Sequence, residues 1–278
     1  MERLNVSSFL KTMEKTKVLF ISQEITPYLS ENEMSLSSRN LPQGIQERNK
    51  EIRTFMPRFG SINERRNQLH EVIRLSGMNL IINDTDHPLI IKVASIQAAR
   101  MQVYFIDNED YFQRKFTTVD EDGTEFADND ERAIFFARGV LETIKKLRWA
   151  PDIVHCQGWF TGLAPLLIKK TMNDDPFFAK SKVVYSIFND GFTNPLDKEL
   201  KSKVKALGIA EKDIKLLEDP SFENLSKLAI NMSDGVIKAS PEINPEVEKY
   251  AKESGKVFLD FQDSESYIDA FNAFYDSL

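Results

Sequence analysis

The chain has 278 residues, enough for one large domain or two small ones. Hydrophobic residues make up 41% and charged residues 28%, the balance of a globular fold. A net charge of −7 with no long basic run argues against nucleic acid or an anionic membrane as partner. Basic clusters such as Lys198 to Lys205 are short and mixed with acids, which reads as a solvated helix face. The single cysteine, Cys156, excludes an internal disulfide and suits a reducing cytoplasm. Its apolar setting predicts a buried structural thiol. His70, His87 and His155 show no metal-ligand spacing, so neither a metal nor another cofactor is expected. Residues 1–16 form an N-terminal extension without the apolar core of a secretion signal. No apolar stretch reaches the ~18 residues of a membrane span. A cytoplasmic protein is the expectation.

Lys17 to Ser22 is an apolar run that reads as a buried parallel strand. A helix follows over Leu36 to Asn49, weakened by Pro42 and Gly44. Glu51 to Met56 is a second strand that Pro57 stops. Between residues 69 and 107 the pattern turns to short β-rich pieces: Val72 to Leu75, Met78 to Ile82, Leu89 to Ile96 and Met101 to Ile106. Turn signals at Ser76-Gly77, Asn83-Asp84 and His87-Pro88 separate them, so hairpin-like strands inserted in the sheet or edging it are expected. Asn108 to Gln113 is a short helix or turn, and Thr117 to Gly123 an acidic loop. Asp128 to Leu147 has helical periodicity, with Asp128 and Glu131 spaced as a capping pair. Charge at a helix N-terminus explains Asp128, Asp130 and Glu131 better than acid–base work does.

Further strands are expected at Asp152 to Cys156, Val183 to Phe188 and Gly235 to Lys238. Helices lie near Gly162 to Thr171, Asn224 to Met232 and Pro245 to Ser254. Alternation of apolar strands with helices predicts an α/β fold, a doubly wound Rossmann-like parallel sheet, with 17–278 as a single domain. The tail 264–278 spaces Tyr267, Ile268, Phe271, Phe274 and Tyr275 as an amphipathic helix. It docks either on its own domain or on a partner.

The segment Pro151 to Leu163 is the most informative. A short strand ends in Gln157-Gly158-Trp159-Phe160, and ligands bind outside the carboxyl ends of such strands. The segment resembles the "PDIVHCHDWHTGL" block of bacterial glycogen synthases and plant starch synthases, glycosyltransferase family 5. Lys17 to Ser22 with Glu24 and Pro27 resembles the family's "KVLFVSSEVAP". Pro57-Arg58-Phe59-Gly60 resembles "LPRYG", and Asp128 to Arg132 with Phe135-Phe136 resembles "DNAERFAFF". Ser186 to Asn189 sits where the family has "TIHN", and Ala239-Ser240-Pro241 where it has "TVSP". The likeness covers most of residues 17–252 and implies the N-terminal half of a two-Rossmann-domain (GT-B) glycosyltransferase. Such enzymes move glucose from ADP- or UDP-glucose onto an α-1,4-glucan.

The polar groups that the resemblance implies are largely replaced. The family's Lys-x-Gly-Gly-Leu, which serves the diphosphate, falls in register on Ser30, Glu31, Asn32, Glu33 and Met34. Each glutamate set about 4 Å from a diphosphate would cost roughly 4 kcal/mol at an effective dielectric of ~20. Phe160 stands where the family has its active-site histidine, Phe188 replaces the histidine of "TIHN", and Gly158 replaces a carboxylate. An imidazole can hydrogen-bond a sugar; a phenyl ring cannot. No catalytic residue is therefore assigned at Ser30, Phe160 or Phe188. Glu24, Ser30, Asn32, Glu33, His155, Gln157, Trp159, Phe160 and Asn189 are the ligand-binding candidates, although core packing competes for Trp159.

The family continues into a second Rossmann domain after "TVSP", whereas this sequence ends at Leu278. The expected function is a catalytically degenerate binding or regulatory protein of α-glucan metabolism. Its expected partner is an α-glucan, a maltooligosaccharide or a glycogen synthase. Two alternatives stand. One is a working half completed by a separate chain that carries the C-terminal domain. The other is a reused cleft, more apolar through Met34, Trp159, Phe160 and Phe188, that takes another small molecule or a protein.

Overall fold

Apolar runs with β-branched residues form the strands, and segments of 3.6-residue periodicity cover them. The computed structural model describes residues 14–278, so most of the N-terminal extension lies outside it. Strand β1 (Lys17–Ser22) leads into helix α1 (Glu33–Glu47) and strand β2 (Glu51–Pro57). Next come β3 (His70–Glu71), β4 (Met78–Ile82), β5 (Thr85–Ile96) and β6 (Met101–Asp107). Helices α2 (Glu109–Phe112) and α3 (Asn129–Leu147) precede β7 (Ile153–Gln157) and α4 (Ala164–Thr171). Strand β8 (Lys182–Ile187), helices α5 (Leu200–Lys205) and α6 (Phe222–Asn231) and strand β9 (Gly235–Lys238) follow. The described chain ends in α7 (Pro245–Glu253), β10 (Val257–Leu259) and α8 (Tyr267–Asp276).

One sheet runs in the order β10-β9-β8-β7-β1-β2-β6-β5-β3, with β4 paired to β5. The strands from β10 to β6 are parallel, while β5, β3 and β4 form an antiparallel edge. This is the doubly wound sheet with an edge hairpin region that the sequence predicts. The strand order reverses between β1 and β7, which opens a crevice at their carboxyl ends.

Alternate residues of each strand serve opposite layers. Val18, Phe20, Ile153, Val184 and Ile237 face α1 and α8, through Leu41, Ile45, Phe271 and Phe274. Leu19, Ile21, Val154, Cys156 and Tyr185 join the opposite core with α3, α4 and α6. Two glycines let α8 approach closely. A Cβ on Gly44 would lie 2.5 Å from Ile268, and one on Gly235 2.7 Å from the Phe274 ring. The tail helix thus docks on its own chain. No helix of the described residues is long and apolar enough to cross a membrane.

Five expectations are corrected. His87-Pro88 is not a turn, because both residues lie within β5 and pair with β4. Val72 to Leu75 is not a strand: only His70–Glu71 pairs there, and Leu75 N–H closes a turn on Val72 O at 2.9 Å. Asp128 does not cap α3 with its side chain, because its carboxylate is held by Arg114 at 2.6 Å. Lys198 to Lys205 is not simply a solvated face. Lys203 is buried, with Asp130 at 2.7 Å and Glu131 at 2.9 Å from its Nζ. Helix α1 starts at Glu33 rather than Leu36, because Asn32 and Ser35 form a reciprocal capping box.

Candidate functional site

The loops that leave β1, β7, β8 and β9 meet the N-terminus of α1 around a cavity of about 360 Å3. Gly158 shapes its floor. Its φ of +89° is left-handed, and a Cβ there would lie 2.8 Å from Gln23 Oε1 and 3.0 Å from Met34. Gln23 and Met34 thus fill the space that a side chain at 158 would need. Gln23 Oε1 accepts the Phe160 N–H at 3.0 Å, and Gln23 N–H donates to Gln157 O at 3.1 Å.

The start of α1 is closed by its own side chains. Asn32 Oδ1 accepts the Ser35 N–H at 2.8 Å, and Ser35 Oγ accepts the Asn32 N–H at 2.9 Å. Asn32 Nδ2 donates to Glu24 at 2.6 Å. Glu33 accepts a hydrogen bond from Ser240 Oγ at 2.6 Å, while Ser240 Oγ accepts the Asn189 N–H at 3.1 Å. A carboxylate in the first turn satisfies the positive end of the helix dipole from within the chain.

Among the described residues the lining includes four carboxylates, Glu24, Glu33, Glu125 and Asp190, and no Lys, Arg or His. Asp190 Oδ2 accepts the Trp159 N–H at 2.8 Å. Burial pushes the Asp190 carboxyl up to about 7, with the nearby Glu24 charge adding to the shift against that hydrogen bond. At neutral pH it can therefore both donate and accept. Burial would also raise Glu125, but bonds from the Thr193 and Asn194 amides outweigh that and hold it below the usual range. Trp159 packs edge-on against Phe192, ring centroids 4.7 Å apart, and both rings line the cavity. Glu24 and Asn32 also line an adjoining trough of about 360 Å3, together with Ser30, Tyr28 and Lys115.

Of the candidates, Glu24, Asn32, Glu33, Trp159 and Asn189 come together around the cavity, and Phe188 lines it too. Ser30 belongs to the trough. His155, Gln157 and Phe160 are buried elsewhere. His155 spans Tyr275 Oη and Ser186 Oγ at 2.6 Å each, and burial pushes its ring down to about 3, so it is neutral. Gln157 Oε1 accepts from Ser22 Oγ at 2.8 Å. Phe160 packs between Phe59 and Phe136 at 5.7 and 5.9 Å. Sequence reasoning missed Asp190, Glu125 and Ser240. Asp190 follows a strand end and was open to detection on that ground. Glu125 lies in a polar loop with no local signal. Among the described residues no cluster of His, Cys, Asp and Glu is arranged to hold a metal ion.

This sheet-and-helix plan has a parallel in a starch synthase catalytic domain. The catalytic domain of starch synthase IV from Arabidopsis thaliana, bound to ADP and acarbose, superposes with a TM-score of 0.72. The match covers 91% of this chain and 53% of that one at 16% identity, a likeness of fold. The family profile described as starch synthase catalytic domain matches residues 17–258, and the chain belongs to that family. Glycogen synthase of Chlorobium limicola is 39% identical over 175 residues, and that of Chlorobaculum tepidum 39% over 174. Each alignment covers 62% of this chain and 36% of the relative, so the chain spans just over a third of their length.

Proposed function

We propose that this glycogen synthase-like domain binds α-glucan, or a maltooligosaccharide, in the cleft at the strand ends and does not itself transfer glucose. It would act in α-glucan metabolism, in the cytoplasm, as a binding or regulatory protein. The observation that carries this reading is the make-up of the cavity: among the described residues its lining has four carboxylates and no cation. A nucleotide diphosphate would meet repulsion of roughly 4 kcal/mol per close carboxylate at an effective dielectric of ~20. Here the start of α1 is already occupied by Asn32, Ser35 and Glu33. A neutral polyhydroxylated chain meets no such repulsion. Carboxylate and amide groups of Glu24, Asn32 and Asn189 offer it hydrogen bonds, and Phe192, backed by the buried Trp159, offers apolar surface.

Glucose transfer is the test. Purified protein is incubated with labelled ADP-glucose or UDP-glucose and glycogen, and incorporation is counted. The expected result is incorporation at the level of the protein-free blank. Transfer by the pure chain would sink the proposal, and transfer only with a co-expressed partner chain would favour a divided enzyme.

A further inference from the structure

A second cavity, of about 590 Å3, opens between α1, the end of β9, the segment 261–264 and α8. That volume suits a small organic ligand. Leu36, Phe261, Ile268 and Phe271 supply its apolar wall. Leu36 keeps 39% exposure there, unusual for a large hydrophobic residue of this fold. The charged residues of the lining differ in how they are satisfied. Lys238 is paired with Glu248 at 2.9 Å, Glu47 accepts from Gln43 at 3.0 Å, and Glu33 accepts from Ser240 at 2.6 Å. Arg39 has no carboxylate within 4 Å among the described residues. Its guanidinium donates to the adjacent Asn40 Oδ1 at 2.7 Å. A half-buried guanidinium beside apolar surface is thus the lining cation that, among the described residues, no carboxylate answers.

We propose that this cavity binds a small amphiphilic anion, a carboxylate or phosphate ester on an apolar body, with Arg39 as its anchor. The planar guanidinium fork matches both anions, and the apolar wall takes the body. Such a ligand would touch α1 and α8 together, with its anionic group at Arg39 and its apolar body against Leu36 and Ile268. The inference does not depend on what the cleft binds.

The experiment titrates the full chain with naphthalene-1-acetate, 1-naphthyl phosphate and the neutral 2-(1-naphthyl)ethanol, read by calorimetry and amide chemical shifts. At least one anion should bind ~10-fold or more tightly than the alcohol, with shifts around Leu36 and Ile268. The two anions together tell a carboxylate from a phosphate preference. Arg39→Ala should erase the difference between anion and alcohol, and Arg39→Lys should keep part of it. Leu36→Asp, at an exposed helical position, should weaken both anions. Equal affinity for anion and alcohol, unchanged binding by Arg39→Ala, or no binding of any probe at millimolar concentration would overturn the proposal.

Discussion

Two groups of carboxylates in this molecule are treated in opposite ways. Asp130, Glu131 and Asp197 gather around the Lys203 ammonium at 2.7, 2.9 and 3.5 Å. Glu24, Glu33, Glu125 and Asp190 gather around a cavity whose lining has no cation. The first group closes α3 onto α5 and behaves as structure: buried charge is tolerated when it is paired. The second has no cation in its lining among the described residues and is met by neutral donors instead: the Trp159, Thr193 and Asn194 amides, Asn32 Nδ2 and Ser240 Oγ. On the proposed reading, the first group serves stability and the second serves what enters the cleft. Both lie near the carboxyl ends of strands, so position alone would not tell them apart.

The contrast breaks first at Lys203. Lys203→Met should leave Asp130, which is fully buried, without its cation and cost about 3–5 kcal/mol in a denaturant titration. A cost below about 1 kcal/mol would mean the two groups are alike.

His155 sharpens the comparison with a buried group satisfied by neutral partners. Its folded value of about 3 lies below the ordinary 6.5, so between these values the unfolded chain binds a proton that the folded chain refuses. Its contribution is fully present above pH 6.5 and is lost as pH falls toward 3. From pH 6.5 to 4.5 that loss amounts to about 2 kcal/mol. His155→Asn should flatten this part of the stability profile relative to wild type, and an unchanged slope would remove His155 as its cause.

Asp190 should behave in the reverse sense. Its carboxyl is raised to about 7, so the folded state holds the proton more tightly than the unfolded state. Its contribution is present at low pH and is lost as pH rises from about 4 through 7. Asp190→Asn keeps an acceptor for Trp159 N–H and should stabilise the chain at pH 8 by about 1–2 kcal/mol, the full shift being reduced by partial solvent screening. That gain should shrink at pH 4.5. Thermal unfolding of the pair at the two pH values decides it, and a destabilised variant at pH 8 would mean that the cleft carboxylate is structural.

The parallel strands were legible because each is a short segment with an apolar or β-branched stretch at its centre, and β1, β2, β6, β7, β8 and β9 fall within one or two residues of their sequence-based bounds. Strand β10 and helix α5 were not legible. The first has three residues, and the second opens in a lysine-rich stretch whose buried member, Lys203, is held by acids more than 60 positions away along the chain. Val72 to Leu75 has strand-forming side chains, but the backbone closes a turn instead. Within the site, Glu24, Asn32, Glu33, Trp159 and Asn189 could be named because the family resemblance fixed their register. Local sequence shows neither that Glu33 reaches Ser240 across 207 positions nor that Glu125 holds the loop at Thr193. His155 looked like a site residue because it lies in the segment that resembles the family's "PDIVHCHDWHTGL" block. The pleat turns it into the α8 layer, where Tyr275 takes it up.

The most direct test of the account is a side-by-side calorimetric titration of the chain with maltoheptaose and with ADP-glucose, in wild type and Asn189→Ala. Asn189 is exposed and lines the cavity, so its loss should leave the fold intact. The account predicts heat with maltoheptaose, weaker binding in the variant, and no heat with ADP-glucose. Saturable binding of ADP-glucose, or silence with maltoheptaose, would contradict it.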